Sequence, residues 1–491
     1  MDAALLDELL GQGESVSVEC KKAVDTCPKS IWETYSAFAN TDGGYILLGI
    51  TEHKGAATLR ERFEVTGMAQ PDKIQSEFWN GINSDKVSAN LLLASDVQMV
   101  EYQQKQVLII HVPPADYRQR PVYINGNPMK GTYKRNHEGD YHCRESEIKA
   151  MFRDAADTGN DVGLLEGYTL ADLDKETVRS YRIEFEHINP DHVWNGLEDA
   201  AFLRNMGAVG LDRRTGSLWL TAAGLLMFGQ GLPIRERFSN IRMDFLDTTN
   251  LVPGARWTHR LTYDGSWENN LYQFMRKILP WLLENVKRPF RLEGVVRRED
   301  TLIHQAIREA LTNMVIHADY MVRGLLKVEI SDHKILFSNP GSLKLAKQDI
   351  YEGGHAYARN PLLQTMLRMI GLGENIGSGF PTILRAWQLS GWPEPELSED
   401  SRFECVNLLL EMPDKGRNAG HPGRIKLQDN ATAAKILDML AANEAMTIKE
   451  IAEETHLTIS GATRAAKTLI EEDAVERVRD KGVYYYMRKR V

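Results

Sequence analysis

Glu309, Asn313 and His317 are spaced four residues apart within the stretch Arg308 to Tyr320. On a helix that spacing stacks side chains on one face. A carboxylate, an amide and an imidazole converging there could activate a water and hold a magnesium ion. Standing alone, the pattern would be read as a solvated polar stripe. The residues downstream change that reading. Asn339-Pro340-Gly341 comes next, and then a glycine-rich run from Gly371 that includes Gly377, Ser378 and Gly379. A polar helix with two glycine-rich turns after it is how a nucleotide pocket is built, because free backbone N–H groups at a helix start suit phosphate. A second set lies near the amino terminus. Glu14 and Glu19 are five apart, so a regular strand would place them on opposite faces. Only a bulge or an irregular entry would bring both to one metal; otherwise they are two surface carboxylates. Arg118, Arg120, Lys130, Lys134 and Arg135, interleaved with tyrosines, could neutralise phosphates and stack on bases, or form a solvated hairpin face.

These residues need elements to hold them. Ala306, Ile307, Ala310, Leu311, Met314 and Val315 recur near a 3.6-residue period, which makes 308–320 helical with one apolar face. Leu325 to Ser331 and Lys334 to Ser338 read as strands turned at Asp332-His333, and Asn339-Pro340-Gly341 breaks the second. Arg359-Asn360-Pro361 opens a helix to Ile370, with Pro361 in its first turn. Further upstream, Glu14 to Lys22 alternates like a strand. Ile31 to Ala39 is helical, and Tyr45 to Ile50 is a short buried strand after the Asp42-Gly43-Gly44 turn. Strands come next at Val97 to Tyr102 and Gln106 to Val112, and Asn125-Gly126 predicts a hairpin over Arg120 to Arg135. Between these regions, Asp172 to His187 and Leu197 to Met206 read as helices. Thr221 caps an apolar run to Phe228, Ile241 to Leu246 is a strand, and Asp264 to Val286 is a long helix. Residues 413–430 are a polar Gly/Pro-rich linker. After it, Thr447 caps a helix with Glu450 at the capping-box position. Thr458 to Glu472 is a candidate recognition helix exposing Arg464 and Lys467, and Val475 to Tyr486 folds back as a wing carrying Arg477, Arg479 and Lys481.

The chain has 491 residues, 43% hydrophobic and 26% charged, enough for three or four globular domains. The net charge of −9 means that nucleic-acid contact must come from local basic patches. Four cysteines without zinc-knuckle spacing fit a reducing cytoplasm rather than a disulfide scaffold. No apolar run approaches the roughly 20 residues needed to span a bilayer.

Glu14-Ser-x-x-x-Glu19-x-Lys21, the helix ending Ser36 to Gly44, and the strand after it resemble the AlbA-type domain of the Schlafen family. Some of those domains are metal-dependent endoribonucleases acting through three carboxylates. The resemblance implies Glu14 and Glu19 as the first two; where the third is usually an aspartate, this chain offers Glu52. Mg²⁺ or Mn²⁺ would be the metal, and Lys21 would join the nucleic-acid set. The segment with Arg308-Glu309-Ala-Leu-x-Asn313, Asn339-Pro-Gly341, Arg359-Asn360-Pro361 and Gly371 to Phe380 resembles the GHKL ATPase fold, in the branch found in RecG-helicase-like carboxy-terminal regions. It implies Asn313 on the Mg²⁺ that bridges ATP phosphates, Glu309 orienting the attacking water, and Gly377, Ser378 and Gly379 along the phosphates. The adenine-reading position is Asn339, with Gly341 two residues on, and His317 stands close to the phosphates or the helix end.

The expected architecture is α+β multidomain: a Schlafen AlbA-like α/β domain (1–155), an α+β connector (156–285), a GHKL-type α/β sandwich (286–412) and a winged helix (431–491). The expected function is ATP-regulated action on nucleic acid by a cytoplasmic homo-oligomer. It is either a metal-dependent nuclease cutting structured RNA in a bacterial stress or antiviral role, or a non-cleaving winged-helix transcriptional regulator; a plain ATPase that remodels a partner is the third reading.

Overall fold

The computed structural model describes residues 3–53, 62–156, 158–285, 292–293, 296–297, 302–354, 357–373, 379–400, 402–412, 439–440, 446–455, 469, 475–480 and 483–488. The chain divides into two compact units, one of residues 1–387 with 393–412, the other of 388–392 with 413–491.

The first unit begins with a four-stranded sheet. Val18–Lys21 pairs in parallel with Gly44–Leu48, which pairs antiparallel with Lys105–Val112, and Val97–Tyr102 closes the edge. Period-two alternation decides what each face meets. Ile46, Leu48, Leu108, Ile110 and Val112 pack on the helices Ile31–Ala39 and Pro71–Ile82 through Tyr35, Phe38, Ile74 and Phe78. Leu47, Val107 and Ile109 face the other way, onto Leu6 and Leu9 of the helix Ala3–Gln12. Gly44 is required where the helix ends against the sheet, since a Cβ there would lie 2.7 Å from the Phe38 ring and from the Ser17 carbonyl. The expected strand to Ile50 stops two residues early. Gly49 takes φ +96°, and Ile50–Glu52 leaves the sheet to pair with Phe63–Val65.

The expected hairpin at Asn125-Gly126 is reduced to a single antiparallel bridge, Tyr123 with Thr132. Both residues have positive φ, but Pro128 starts the helical turn Pro128–Gly131 in place of a returning strand. The hairpin lies later, Tyr133–Asn136 with Gly139–His142. The buried side chain of Asn40 holds the intervening loop: Nδ2 donates to the carbonyls of Val122 (2.7 Å) and Tyr133 (2.9 Å), and Oδ1 accepts from Val122 N (2.8 Å).

A six-stranded sheet forms the second half of this unit. Its order is His259–Leu261, Ile241–Asp247, Gly324–Ile330, Lys334–Pro340, Cys405–Glu411, Glu396–Asp400, with only the second and third strands parallel. The strand expected to break at Asn339 runs on through Pro340. Two of the six strands come from the segment expected to be a connector, so the boundary at 286 does not separate the sheets. That segment otherwise obeys its local signals. Thr221 Oγ1 accepts from Gly224 N and caps Ala222–Phe228, and Asp174 caps Lys175–Ile188. The long helix starts only at Leu271, where Asn270 Oδ1 accepts from Gln273 N.

In the second unit, Met446–Thr447, Val483–Arg488 and Val475–Asp480 form a three-stranded sheet in that order. Leu440, Ile451, Leu469, Val475 and Tyr486 make its core. The capping box is present: Thr447 N donates to Glu450 Oε2 (2.7 Å), and Glu450 N donates to Thr447 Oγ1 (3.4 Å). The recognition-helix residues Arg464 and Lys467, and Lys481 of the wing turn, lie outside the described residues. Among the described residues no helix is long and apolar enough to cross a membrane.

Candidate functional site

The helix Leu302–His317 packs on the strand Lys334–Pro340, burying Ala306, Ile307, Ala310, Leu311, Met314 and Val315. Those are the residues whose period announced the helix. Its next face carries Glu309, Asn313 and His317 into a cleft of about 160 Å³. One side of the cleft is apolar, from Phe337, Leu397, Val406 and Leu408, with the buried Asn339 beside them. The other side is polar. Gly379 opens the helix Gly379–Leu389 so close to the first helix that a Cβ would stand 2.5 Å from Glu309 Oε1 and 3.1 Å from Asn313 Nδ2. Any larger residue there would push the Glu309 carboxylate aside. Thr312 Oγ1 is buried with no hydrogen-bond partner among the described residues. Burial, with Arg359 and Lys344 nearby, pushes the His317 imidazole down to about 4. It is therefore neutral at pH 7 and can accept as well as donate.

Arg359 braces this cleft from behind. Nε and Nη2 make a bidentate pair with Asp154 (2.8 and 2.7 Å), Nη1 donates to the His317 carbonyl, and Nη2 donates to the Ser342 carbonyl (2.8 Å). Asn360 Nδ2 donates to the carbonyls of Ile316 and Ala318 (3.1 and 2.7 Å). Together they satisfy carbonyls that the end of the helix would otherwise leave bare. Gly341, at φ +106°, lies where a Cβ would crowd Arg359 Nη1 (3.0 Å) and Asp319 Cβ (2.9 Å).

The amino-terminal carboxylates sit on the first sheet. Glu14 precedes the strand Val18–Lys21 in an irregular segment, and its Oε1 accepts from Cys20 N (3.3 Å). Glu19 lies on the strand, with Oε1 2.9 Å from Lys21 Nζ and Oε2 2.9 Å from Arg135 Nη1. Glu52 Oε1 is 2.7 Å from Arg62 Nη2. Burial raises the Glu14 carboxyl above its usual range, and repulsion from Glu19 and then Glu52 adds to it, against the Cys20 N–H and Arg135. Glu14 thus feels both of the other carboxylates. Both oxygens of Glu19 and one of Glu52 are already held by cations, and among the described residues no group of three or more His, Cys, Asp or Glu is placed to hold a metal ion. As arranged, this donor set does not fit a divalent ion.

Family models match residues 14–144 as "Schlafen, AlbA_2", 325–408 as "Putative ATP-dependent DNA helicase recG C-terminal", and 430–482 as "MarR family"; residues 149–244 match a domain of unknown function. The chain carries a Schlafen AlbA-type domain, a RecG-type ATPase-like domain and a MarR-type winged helix. No curated protein matches. Among solved structures, the DIP2311 protein of Corynebacterium diphtheriae is similar at 18% identity over 99% of this chain and 96% of that one, with a TM-score of 0.40. The N-terminal domain of a RecG-related protein from Nitrosomonas europaea is similar at 31% identity over 28% of this chain and 91% of that one, with a TM-score of 0.23.

The ATPase-like domain gathers Glu309, Asn313, His317, Asn339 and Gly379 in one cleft, whereas Gly341 lines the neighbouring one. Gly377 and Ser378 lie outside the described residues. In the AlbA-type domain the basic set does not form one open face. Arg118 is exposed and pairs with Asp116 (2.8 Å), Lys130 is exposed, and Lys134 pairs with Glu147. Arg120 Nε donates to the Ala115 carbonyl (2.9 Å). Arg135 is buried: it pairs with Glu19 and Asp140, donates to Ser15 O (2.8 Å) and lies over the Phe38 ring. Lys21 is spent on Glu19. In the winged helix, Arg477 and Arg479 stand on the strand Val475–Asp480. Asp154, Thr312 and Lys344 were not singled out by sequence; isolated polar residues carry no local signal of the partners that folding gives them.

Replacing Arg359 by methionine leaves Asp154 buried without its cation. It should lower stability by about 3–5 kcal/mol in urea unfolding. Arg359→Lys should not restore it, because a single ammonium cannot replace the planar fork; full restoration would refute the bidentate role.

Glu14 gives a pH signature. Its folded carboxyl ionises above the usual 4.5, so the unfolded chain releases the proton first and stability falls as pH rises from 4.5 through the folded value. Glu14→Gln should therefore be more stable than the parent at pH 7, with the difference vanishing below about pH 4.5. A difference that persists unchanged at pH 3.5 would contradict the shift.

Proposed function

We propose that the chain is an ATP-responsive, non-cleaving nucleic-acid-binding regulator. The observation that carries the nucleotide part is the approach of Gly379 to Glu309 and Asn313 beside an apolar wall. That arrangement suits a ligand with a flat apolar ring and a phosphate tail. Asn313 would offer its amide oxygen to Mg²⁺ on the phosphates, a hard ligand for a hard cation. Gly379, at a helix start, would offer backbone N–H groups to phosphate oxygens. Glu309 would orient water if hydrolysis occurs. Neutral His317 would bond phosphate without adding charge, and Asn339 would face the base. A bound Mg²⁺–ATP supplies charge neutralisation and, on turnover, phosphoryl transfer to water. The nucleic-acid part rests on the winged helix with its basic wing and on the AlbA-type domain, each able to contact phosphate backbone.

Calorimetry with ATP and Mg²⁺ tests the cleft. The parent should bind, and Asn313→Ala should weaken binding at least about tenfold, the loss of one good polar contact. Equal affinity would remove Asn313 from the site.

The metal-dependent nuclease is the second reading. It is favoured by the repulsion that Glu14 feels from Glu19 and Glu52, which a cation would relieve. It requires Lys21, Arg135 and Arg62 to give up their carboxylates. Incubation of tRNA and single strands with the protein and Mn²⁺ or Mg²⁺, with and without ATP, decides between them. Intact substrate supports the regulator; cleavage abolished in Glu19→Ala supports the nuclease, with a stress or antiviral role then inferred by analogy.

A further inference from the structure

The nucleotide cleft has a neighbour. Ser342, Leu343, Lys344 and Leu345 line it on one side and, on the other, a cleft of about 330 Å³ at the junction of the AlbA-type and ATPase-like domains. The far wall of that second cleft includes Tyr117, Arg120 and Asp154. One short segment therefore separates the nucleotide from the first domain.

The segment is pinned at both ends, and in the middle by Tyr351, whose hydroxyl donates to Pro395 O (3.0 Å) and accepts from Leu397 N (3.1 Å). Leu343 N donates to Glu399 Oε1 (2.5 Å), and Ser342 O accepts from Arg359. At the other end Arg359 is locked to Asp154. Between lie the helix Lys347–Glu352 and two successive glycines, Gly353 and Gly354, both at positive φ (75° and 89°). Such a pair lets the chain turn with little steric resistance.

Two side chains of this segment meet one residue of the AlbA-type domain. Lys344 Nζ stands 4.2 Å from the centre of the Tyr117 ring. The ring of Tyr357, which also lines the nucleotide cleft, is 5.1 Å from the same ring. Tyr117 opens a single tight turn, Tyr117–Gln119, capped by Asp116. That turn is tied to the start of the domain's loop: Ala115 N donates to Ala39 O (2.8 Å), and Arg120 reaches the carbonyls of Ala115 and Thr41. Ala39 and Thr41 flank Asn40, which holds Val122 and Tyr133. Tyr117 thus shares one hydrogen-bonded loop with Arg118 and Arg120.

We infer that nucleotide occupancy is passed to the AlbA-type domain through the contact of Lys344 and Tyr357 with Tyr117. The inference rests on the nucleotide reading proposed above. A ligand that touches Lys344 and Tyr357 binds some positions of the segment better than others. It therefore shifts whichever equilibrium those positions share with Tyr117. By linkage, nucleic acid held on the first domain must change ATP affinity by the same factor.

The test uses the full chain, ATP with Mg²⁺, a short DNA duplex and an RNA stem-loop. ATP affinity is read by calorimetry, and nucleic-acid affinity by fluorescence anisotropy with and without saturating ATP. In the parent, ATP should change affinity for at least one of the two by about tenfold, a typical coupling. Tyr117→Ala should keep ATP affinity within about threefold while the coupling falls below about twofold. Tyr117→Phe, which keeps the ring, should retain it. A Tyr117→Ala protein that binds ATP and still shows the full shift overturns the inference, and so does a parent that binds both ligands without any shift. A parent that binds no ATP overturns the nucleotide reading and the inference with it.

Discussion

A buried arginine needs a buried carboxylate, and the rest of this unit is arranged around that requirement. Arg359 and Asp154 are 205 residues apart in sequence and meet where solvent cannot screen them. Desolvating both charges is costly, and the cost is offset only because every polar atom finds a partner. Two more guanidinium protons reach His317 O and Ser342 O. The pair thereby sets three things at once: where the helix Leu302–His317 ends, where the segment after Gly341 begins, and how the helix Glu145–Ala155, which follows the AlbA-type domain, lies against both. Arg153, next to Asp154, repeats the connection with Asp319 (2.6 Å). A neutral pair of similar size could fill the space, but it would not fix these directions.

The amino-terminal cluster shows the opposite balance. Glu19 is neutralised twice over, Glu52 by an arginine, and Glu14 is left to titrate against both. Arg135 is the centre of this arrangement. It lies over Phe38 and joins the entry loop at Ser15, the strand at Glu19 and the hairpin at Asp140. Its charge therefore serves the fold before it can serve a ligand.

How much of this could be read from sequence depended on the range of the forces involved. Local patterns carried through. The apolar period of 306–315, the short apolar run of Ile46, Leu47 and Leu48, the cap at Thr221 and the box at Thr447 and Glu450 all depend on neighbours within a few residues. The gathering of Glu309, Asn313 and His317 did as well, because helix geometry alone stacks them. What failed was decided at longer range. Asn125-Gly126 makes its turn, but the side chain of Asn40 and the start of a helix at Pro128 determine the path of the chain beyond it. The basic residues around it looked alike in sequence. Only folding separates Arg135, enclosed by carboxylates, from Lys130 in solvent. The pairing of Ile241–Asp247 with Gly324–Ile330 has no local signature at all.

That parallel pairing also sets an order of assembly. The first sheet is complete once residue 112 has been made. The six-stranded sheet waits for much more chain: Cys405–Glu411 is inserted between Lys334–Pro340 and Glu396–Asp400, so the strands made earlier have open edges until the last of them arrives. During synthesis, which proceeds at roughly 5–20 residues per second, the AlbA-type domain can fold while the cleft of the ATPase-like domain does not yet exist. Unpaired edges in the interval are sites where two nascent chains could join. Asp154, on the helix that follows that domain, is made 205 residues before Arg359 and is there for it to dock on.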